Sequence, residues 1–159
     1  MKLVKGWYVP DFDQQFEHLI TPEGTYQYPN LIAAVSHCKQ LRTVIDGGAH
    51  IGTWSRVFAA FFDRGSRYAA KGGDVERISV DSLALQDLDL LKMDIEGSEV
   101  HALMGARKTL IRCQPIVLFE SKNEWRRHGF SETAPHDFLA SLGAVKLDHV
   151  GIDEIWGWV

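Results

Sequence analysis

Three short apolar runs in this chain each end on an acidic residue, and stretches of helical periodicity separate them. Thr43-Val44-Ile45 leads into Asp46, Leu90-Leu91-Lys92-Met93 into Asp94, and Ile116-Val117-Leu118-Phe119 into Glu120. Runs that are nearly continuously apolar, rather than alternating, belong to strands covered on both faces. After the first run, Trp54, Val57, Phe58, Phe61 and Phe62 mark one face of a helix. After the second, Val100, Leu103, Met104, Leu110 and Ile111 form a core-facing stripe that runs from Gly97-Ser98 to Cys113, with Pro115 as its stop. This βαβαβ order predicts a parallel sheet covered by helices.

The flanking segments extend that core. Pro29 suits the first turn of a helix, and Leu31, Ile32, Val35 and Cys38 recur at helical spacing to about Gln40. Residues 63–80 read as mostly loop, with strand character only from Val75 to Val80, and Asp81-Ser82 opens a short helix through Gln86. Thr133 and Pro135 open a helix that closes at Leu142-Gly143. Ala144 to His149 and Glu154 to Val159, joined through Gly151-Ile152-Asp153, read as an antiparallel ribbon. Residues 1–28 read as an irregular N-terminal arm with a helical turn or two around Asp13 to Leu19, and residues 29–159 as one domain.

Composition narrows the function classes. With 45% hydrophobic and 24% charged residues the chain can bury a core and lacks the signature of disorder. Seventeen Lys+Arg against 21 Asp+Glu give a net charge of −4, which supplies no general attraction to nucleic acid or to an anionic membrane. Cys38 and Cys113 stand in no metal-ligand spacing, so no metal site is expected. The apolar run Val57 to Phe62 is far short of the ~20 residues a membrane span needs, and MKLVKGWYVP lacks the apolar core of a signal peptide. A cytoplasmic location is the expectation.

In an open α/β sheet the ligand binds outside the carboxyl ends of the strands. That directs attention to Asp46-Gly47-Gly48, Asp94-Ile95-Glu96-Gly97 and Glu120. Gly47-Gly48-Ala49-His50-Ile51-Gly52 is a poor dinucleotide fingerprint, with Ala at the middle glycine, and it lacks the Lys-Ser/Thr ending of a phosphate loop. An acid closing the first strand, with Gly48 and Gly52 behind it, suits a ligand that carries a cationic amino-acid group and a nucleoside. The acid faces the positive charge, and the glycines let the backbone come close. S-adenosylmethionine is a ligand of that kind. Glu99 suits the charge preference of a helix N-terminus. Trp125, Arg126, Arg127 and His128 read equally as an acceptor-binding loop or as a solvated charged one.

VIDGGAHIG followed by LLKMDIEGSEVHALMGARKTLIRCQPIVLFE resembles the FkbM-type methyltransferases over roughly residues 29 to 145. The resemblance implies a Rossmann-like fold that uses S-adenosylmethionine, with Asp46, Gly47, Gly48, His50, Gly52 and Asp94 around the cofactor. It implies methyl transfer to a hydroxyl of a small-molecule or carbohydrate acceptor, with Asp94, Glu96 and Glu120 as the catalytic candidates and His50 as a further possible base. A full domain of this type carries a second strand whose terminal acid binds the adenosine ribose, and each such strand and helix needs about 30 residues. Only residues 63–80 are available for it here. One sheet edge is therefore expected to be shortened, which leaves the first strand as an edge open to pairing with a second copy. The alternative reading is a catalytically silent Rossmann-like remnant that serves as a binding or assembly module. A weaker third is a nucleotide-sugar or dinucleotide binder.

Overall fold

The computed structural model describes residues 2–4, 7–9, 27–50, 52–61 and 78–159. Strands β1 (Lys2–Val4) and β2 (Trp7–Val9) form an antiparallel pair in a region whose sequence reads as irregular. Val4, Trp7, Tyr8 and Val9 favour extended backbone, and the pairing is local, which is why it does not register as a strand of the main alternation. The helical turn expected around residues 13–19, and most of the loop over 63–80, lie outside the described residues.

The core is a five-stranded sheet of order β3-β4-β5-β7-β6, made of β3 (Val44–Gly47), β4 (Leu90–Met93), β5 (Ile116–Glu120), β6 (Val145–Val150) and β7 (Asp153–Gly157). β3, β4 and β5 run parallel. β7 pairs antiparallel with β5 and with β6, so the C-terminal ribbon is built into the main sheet. The fold is the expected mixed α/β arrangement of parallel strands with an antiparallel C-terminal ribbon and flanking helices. Among the described residues β3 pairs only with β4, at one edge.

Side chains alternate across the strands, as a period of two requires. Leu90, Ile116, Leu118 and Ile155 face Leu31 and Ala34 of α1 (Tyr28–His37) and Trp54 and Phe58 of α2 (Thr53–Phe61). Leu91, Met93, Val117, Phe119 and Trp156 face the opposite way, toward Val100 and Leu103 of α3 (Glu99–Gly105), Leu110 of α4 (Arg107–Cys113) and Leu139 of α5 (Ala134–Ser141).

Several boundaries differ from the sequence expectation for identifiable reasons. The helix expected to run unbroken to Cys113 is two helices that meet at Ala106, whose backbone leaves the helical region (φ −108°, ψ 1°). The second helix takes its start from Asp81, whose carboxylate accepts the backbone N–H groups of Lys108 and Thr109 at 3.0 and 2.8 Å. Burial would raise the Asp81 carboxyl, but these N–H groups, the Thr109 hydroxyl and the Lys108 charge hold it below its usual range. The break turns Met104 and Ile111 outward, 54% and 52% exposed, so neither belongs to the core stripe. The short helix expected from Asp81 is a 3-10 turn over Val80–Leu83.

Candidate active site

The carboxyl ends of the parallel strands bring the singled-out residues to one end of the sheet. β3 and β4 are in register with Asp46 beside Lys92, and side chains at paired positions of parallel strands share a face. The Lys92 ammonium lies 3.2 Å from Asp46 Oδ1, with both side chains almost fully buried. It also donates to the carbonyl oxygens of Gly47 and Gly48 at 3.3 and 3.2 Å. The Ser55 hydroxyl donates to the other Asp46 oxygen at 2.7 Å. Asp46 is thereby engaged from both sides by the chain itself. Lys92, which the sequence reading passed over, is the residue that ties strand β4 to the glycine turn.

The turn after β3 passes close against the end of β4. Gly48 has φ +75°, and a Cβ there would lie 1.7 Å from the Asp94 carbonyl oxygen, so no residue with a side chain fits. His50 and Gly52 also have positive φ, at 52° and 87°. The second acidic turn is built in a similar way. Glu96 has φ +53°, and the Glu99 carboxylate, buried beneath it, accepts the N–H groups of Ile95 and Gly97 at 3.1 and 3.3 Å. Glu99 therefore holds the turn that presents Glu96, a role beyond charge at a helix end.

Between these turns lies a cavity of about 290 Å³, walled by Gln27, Gly48, Ala49, His50, Thr53, Trp54, Lys92, Asp94 and Glu96. Of the cofactor candidates, Gly48, His50 and Asp94 line it, while Asp46, Gly47 and Gly52 do not. Of the catalytic candidates, Asp94 and Glu96 line it and Glu120 does not. The indole Nε1 of Trp54 is buried and has no hydrogen-bond partner among the described residues.

Glu120 ends β5 next to this region and carries an ion pair with Lys122 at 2.8 Å. Burial raises the Glu120 carboxyl, and the charges of Asp94 and Asp153 add to that, while Lys122 opposes it. Asp153, opposite Glu120 in the β5–β7 register, was not a sequence candidate. Its carboxyl is buried and raised by that burial, while Asn30 Nδ2 donates to it at 2.6 Å. Because β7 runs antiparallel, its first residue arrives at the end of the sheet where β3, β4 and β5 finish. A reading keyed to acids that close strands misses an acid that opens one.

The aromatic and basic loop divides. Trp125 is fully buried and donates its indole N–H to the carbonyls of Ser131 and Glu132 at 3.0 and 3.1 Å, so it is core and not an acceptor contact. Arg126, Arg127 and His128 are exposed in a 3-10 turn, Glu124–His128. No group of three or more His, Cys, Asp or Glu side chains among the described residues is arranged to hold a metal ion. Among the same residues no helix is long and apolar enough to cross a membrane.

The methyltransferase FkbM domain matches residues 18–146 of the chain. The chain belongs to this family. It is an S-adenosylmethionine-dependent methyltransferase, and the catalytically silent alternative is not what membership supports. Neither the curated proteins nor the solved structures returned a match.

The cavity's chemistry fits the cationic, amino-acid-bearing part of that cofactor. Asp94 and Glu96 offer carboxylates to a cation or to hydroxyls, and the Trp54 N–H, without an acceptor among the described residues, is a buried donor that suits an acceptor such as a carboxylate. A volume near 290 Å³ is at the lower end for small-molecule pockets, so these walls account for part of a nucleoside-bearing ligand. Residues 62–77, where the sequence would have to supply the adenosine-side strand, lie outside the described residues.

Proposed function

We propose that this methyltransferase O-methylates a hydroxyl of a small-molecule or carbohydrate acceptor at the mouth formed by the Gly48 and Glu96 turns. The observation that carries this reading is the convergence of two carboxylates, Asp94 and Glu96, on one cavity wall beside a backbone turn with no side chain at Gly48. The bound cofactor supplies an electrophilic methyl group. The chain's part is to bind, to align and to take a proton. Asp94, half-buried at the end of β4, binds the cofactor's positive charge or hydroxyls, together with the turn from Gly48 to Gly52. Asp46 contributes from behind by fixing Lys92 and that turn. Glu96, exposed at the cavity mouth, receives the acceptor's hydroxyl proton, and Glu120 shapes the field beside it. Alignment accounts for most of the rate in such a transfer, with the proton acceptor adding to it.

The test has two steps. S-adenosylhomocysteine at a hundredfold excess over Kd stabilises a folded binder by about 2.7 kcal/mol, which in a chain of this size raises Tm by roughly 5–10 °C. Asp94→Asn should lose most of that rise. Release of S-adenosylhomocysteine from S-adenosylmethionine is then followed with a panel of sugars, polyols and phenols. A folded wild-type protein with no thermal shift at millimolar ligand would refute the cofactor site. Turnover confined to amine or carboxylate acceptors would refute the hydroxyl reading.

A further inference from the structure

Three indole N–H groups of this chain have acceptors within the protein. Trp125 donates to the Ser131 and Glu132 carbonyls, Trp156 to Glu154 Oε2 at 3.0 Å and Trp158 to the Leu142 carbonyl at 3.0 Å. Trp54 differs: it is 3% exposed, and no acceptor among the described residues meets its Nε1. A buried donor left unpaired is costly, and its persistence points to a partner that arrives from outside. The surroundings narrow where such a partner can sit. Trp54 belongs to the apolar cluster of Leu31, Phe58 and Leu90, whose side chains carry no acceptor, and its ring meets that of Phe58 edge to face at 5.9 Å. The Lys92 ammonium, 5.7 Å from the ring centre, is itself a donor. What remains is the cavity that Trp54 helps to wall.

We propose that Trp54 anchors the carboxylate of the cofactor's amino-acid end, its indole N–H donating to that group at the opening turn of α2. This rests on the reading of the cavity as the place where that end of the cofactor binds. Thr53 and Trp54, both on the cavity wall, open the nine-residue helix α2, which has no acidic residue in its first turn. The first turn of a helix carries N–H groups without intrahelical acceptors and the positive end of the dipole, a setting that favours an anion. Lys92 is not the anchor. Its ammonium has three N–H bonds, and Asp46, Gly47 and Gly48 already supply three acceptors for it. The wall's charges orient a zwitterion accordingly. Asp94 and Glu96 repel a carboxylate and attract an ammonium, so the carboxylate is turned toward Trp54 and the cationic groups toward the acids. Trp54 thereby separates ligands that carry the amino-acid carboxylate from those that carry only the nucleoside and the amine.

The anchor is tested by binding alone, with S-adenosylhomocysteine and its decarboxylated analogue, which keeps the nucleoside and the amine. Trp54→Phe keeps an aromatic ring and removes the donor. In calorimetric titrations it should bind S-adenosylhomocysteine about 10–100-fold more weakly than wild type does, the range for a hydrogen bond to a charged group, and bind the analogue as wild type does. Equal loss for both ligands, or loss for neither, would overturn the assignment. A second measurement needs no variant. In ¹⁵N-labelled wild-type protein the assigned Trp54 indole resonance should move downfield with S-adenosylhomocysteine and not with the analogue, while those of Trp125, Trp156 and Trp158 stay in place. A Trp54 resonance that stays in place with S-adenosylhomocysteine bound, or that moves alike with both ligands, would also overturn it. The reading beneath fails in a different way: a folded wild-type protein that gives neither heat nor a thermal shift with S-adenosylhomocysteine refutes the cofactor site and the anchor together.

Discussion

The buried ion pair between Asp46 and Lys92 makes a prediction that separates a structural role from a ligand-binding one. The two side chains are 7% and 6% exposed and 3.2 Å apart; Ser55 donates to Asp46, and the Lys92 ammonium donates to the carbonyls of Gly47 and Gly48 and lies 5.7 Å from the centre of the Trp54 ring. Removing one member of such a pair strands the other charge in the interior at a cost of about 3–5 kcal/mol, whereas removing both costs much less. Lys92→Met should therefore lose about 3–5 kcal/mol. Asp46→Asn, which retains an acceptor for Ser55, should lose about 3 kcal/mol on the same grounds. The double variant should come back to within about 2 kcal/mol of wild type, giving a coupling energy of at least about 3 kcal/mol. Urea unfolding measures all four proteins, and constant slopes would show that the denatured state is unchanged. If each single change costs less than about 1 kcal/mol, or the double equals the sum of the singles, the pair does not hold the turn as argued. Asp46 would then be free to face a ligand directly.

Three further outcomes follow from the geometry. Gly48→Ala should abolish or severely weaken folding because its Cβ meets the Asp94 carbonyl oxygen, while Gly129→Ala, also at positive φ but with no atom of the described residues within 4 Å, should cost only about 1–2 kcal/mol; equal costs in urea melts would count against the close approach. Burial raises the Asp153 carboxyl in the folded chain, so its favourable contribution is present at low pH and is lost as pH rises through its folded value. Asp153→Asn keeps an acceptor for Asn30 and should gain on wild type as pH goes from 4 toward 7; a gap that narrows over that range would contradict the assignment. Trp125→Phe leaves the Ser131 and Glu132 carbonyls without their shared donor and should cost about 1–3 kcal/mol with cofactor affinity intact; weakened affinity would return Trp125 to the site.

What the sequence shows, and where it stops, follows from the range of the interactions involved. The three strands and their terminal acids are visible because a doubly covered strand must be apolar along its length, and a ligand site at its end must not be. Lys92 breaks the apolar run of β4, yet its meaning needs the register that sets it beside Asp46, and register between strands 46 residues apart in number is not a local property. Asp153 is hidden for a related reason: in chain order it belongs to a turn, and only the antiparallel insertion of β7 next to β5 carries it to the end of the sheet near Glu120. The helix break at Ala106 depends on Asp81, which lies 25 positions earlier, and the stripe through Met104 and Ile111 carries no sign of it.

The same distinction applies inside the two motifs that led to the family. Each combines an acid that the fold consumes with residues that line the cavity. In the first, Asp46 is committed to Lys92 and Ser55, and Gly48 and His50 line the cavity. In the second, Glu99 is spent on the N–H groups of its own turn, and Asp94 and Glu96 are presented. Substitutions at the consumed acids should therefore change stability first and cofactor affinity through it. Substitutions at Asp94 and Glu96 should change affinity or rate in a protein that melts much as wild type does. An Asp46 variant that kept full stability and lost only cofactor binding would reverse that division and place Asp46 with the ligand.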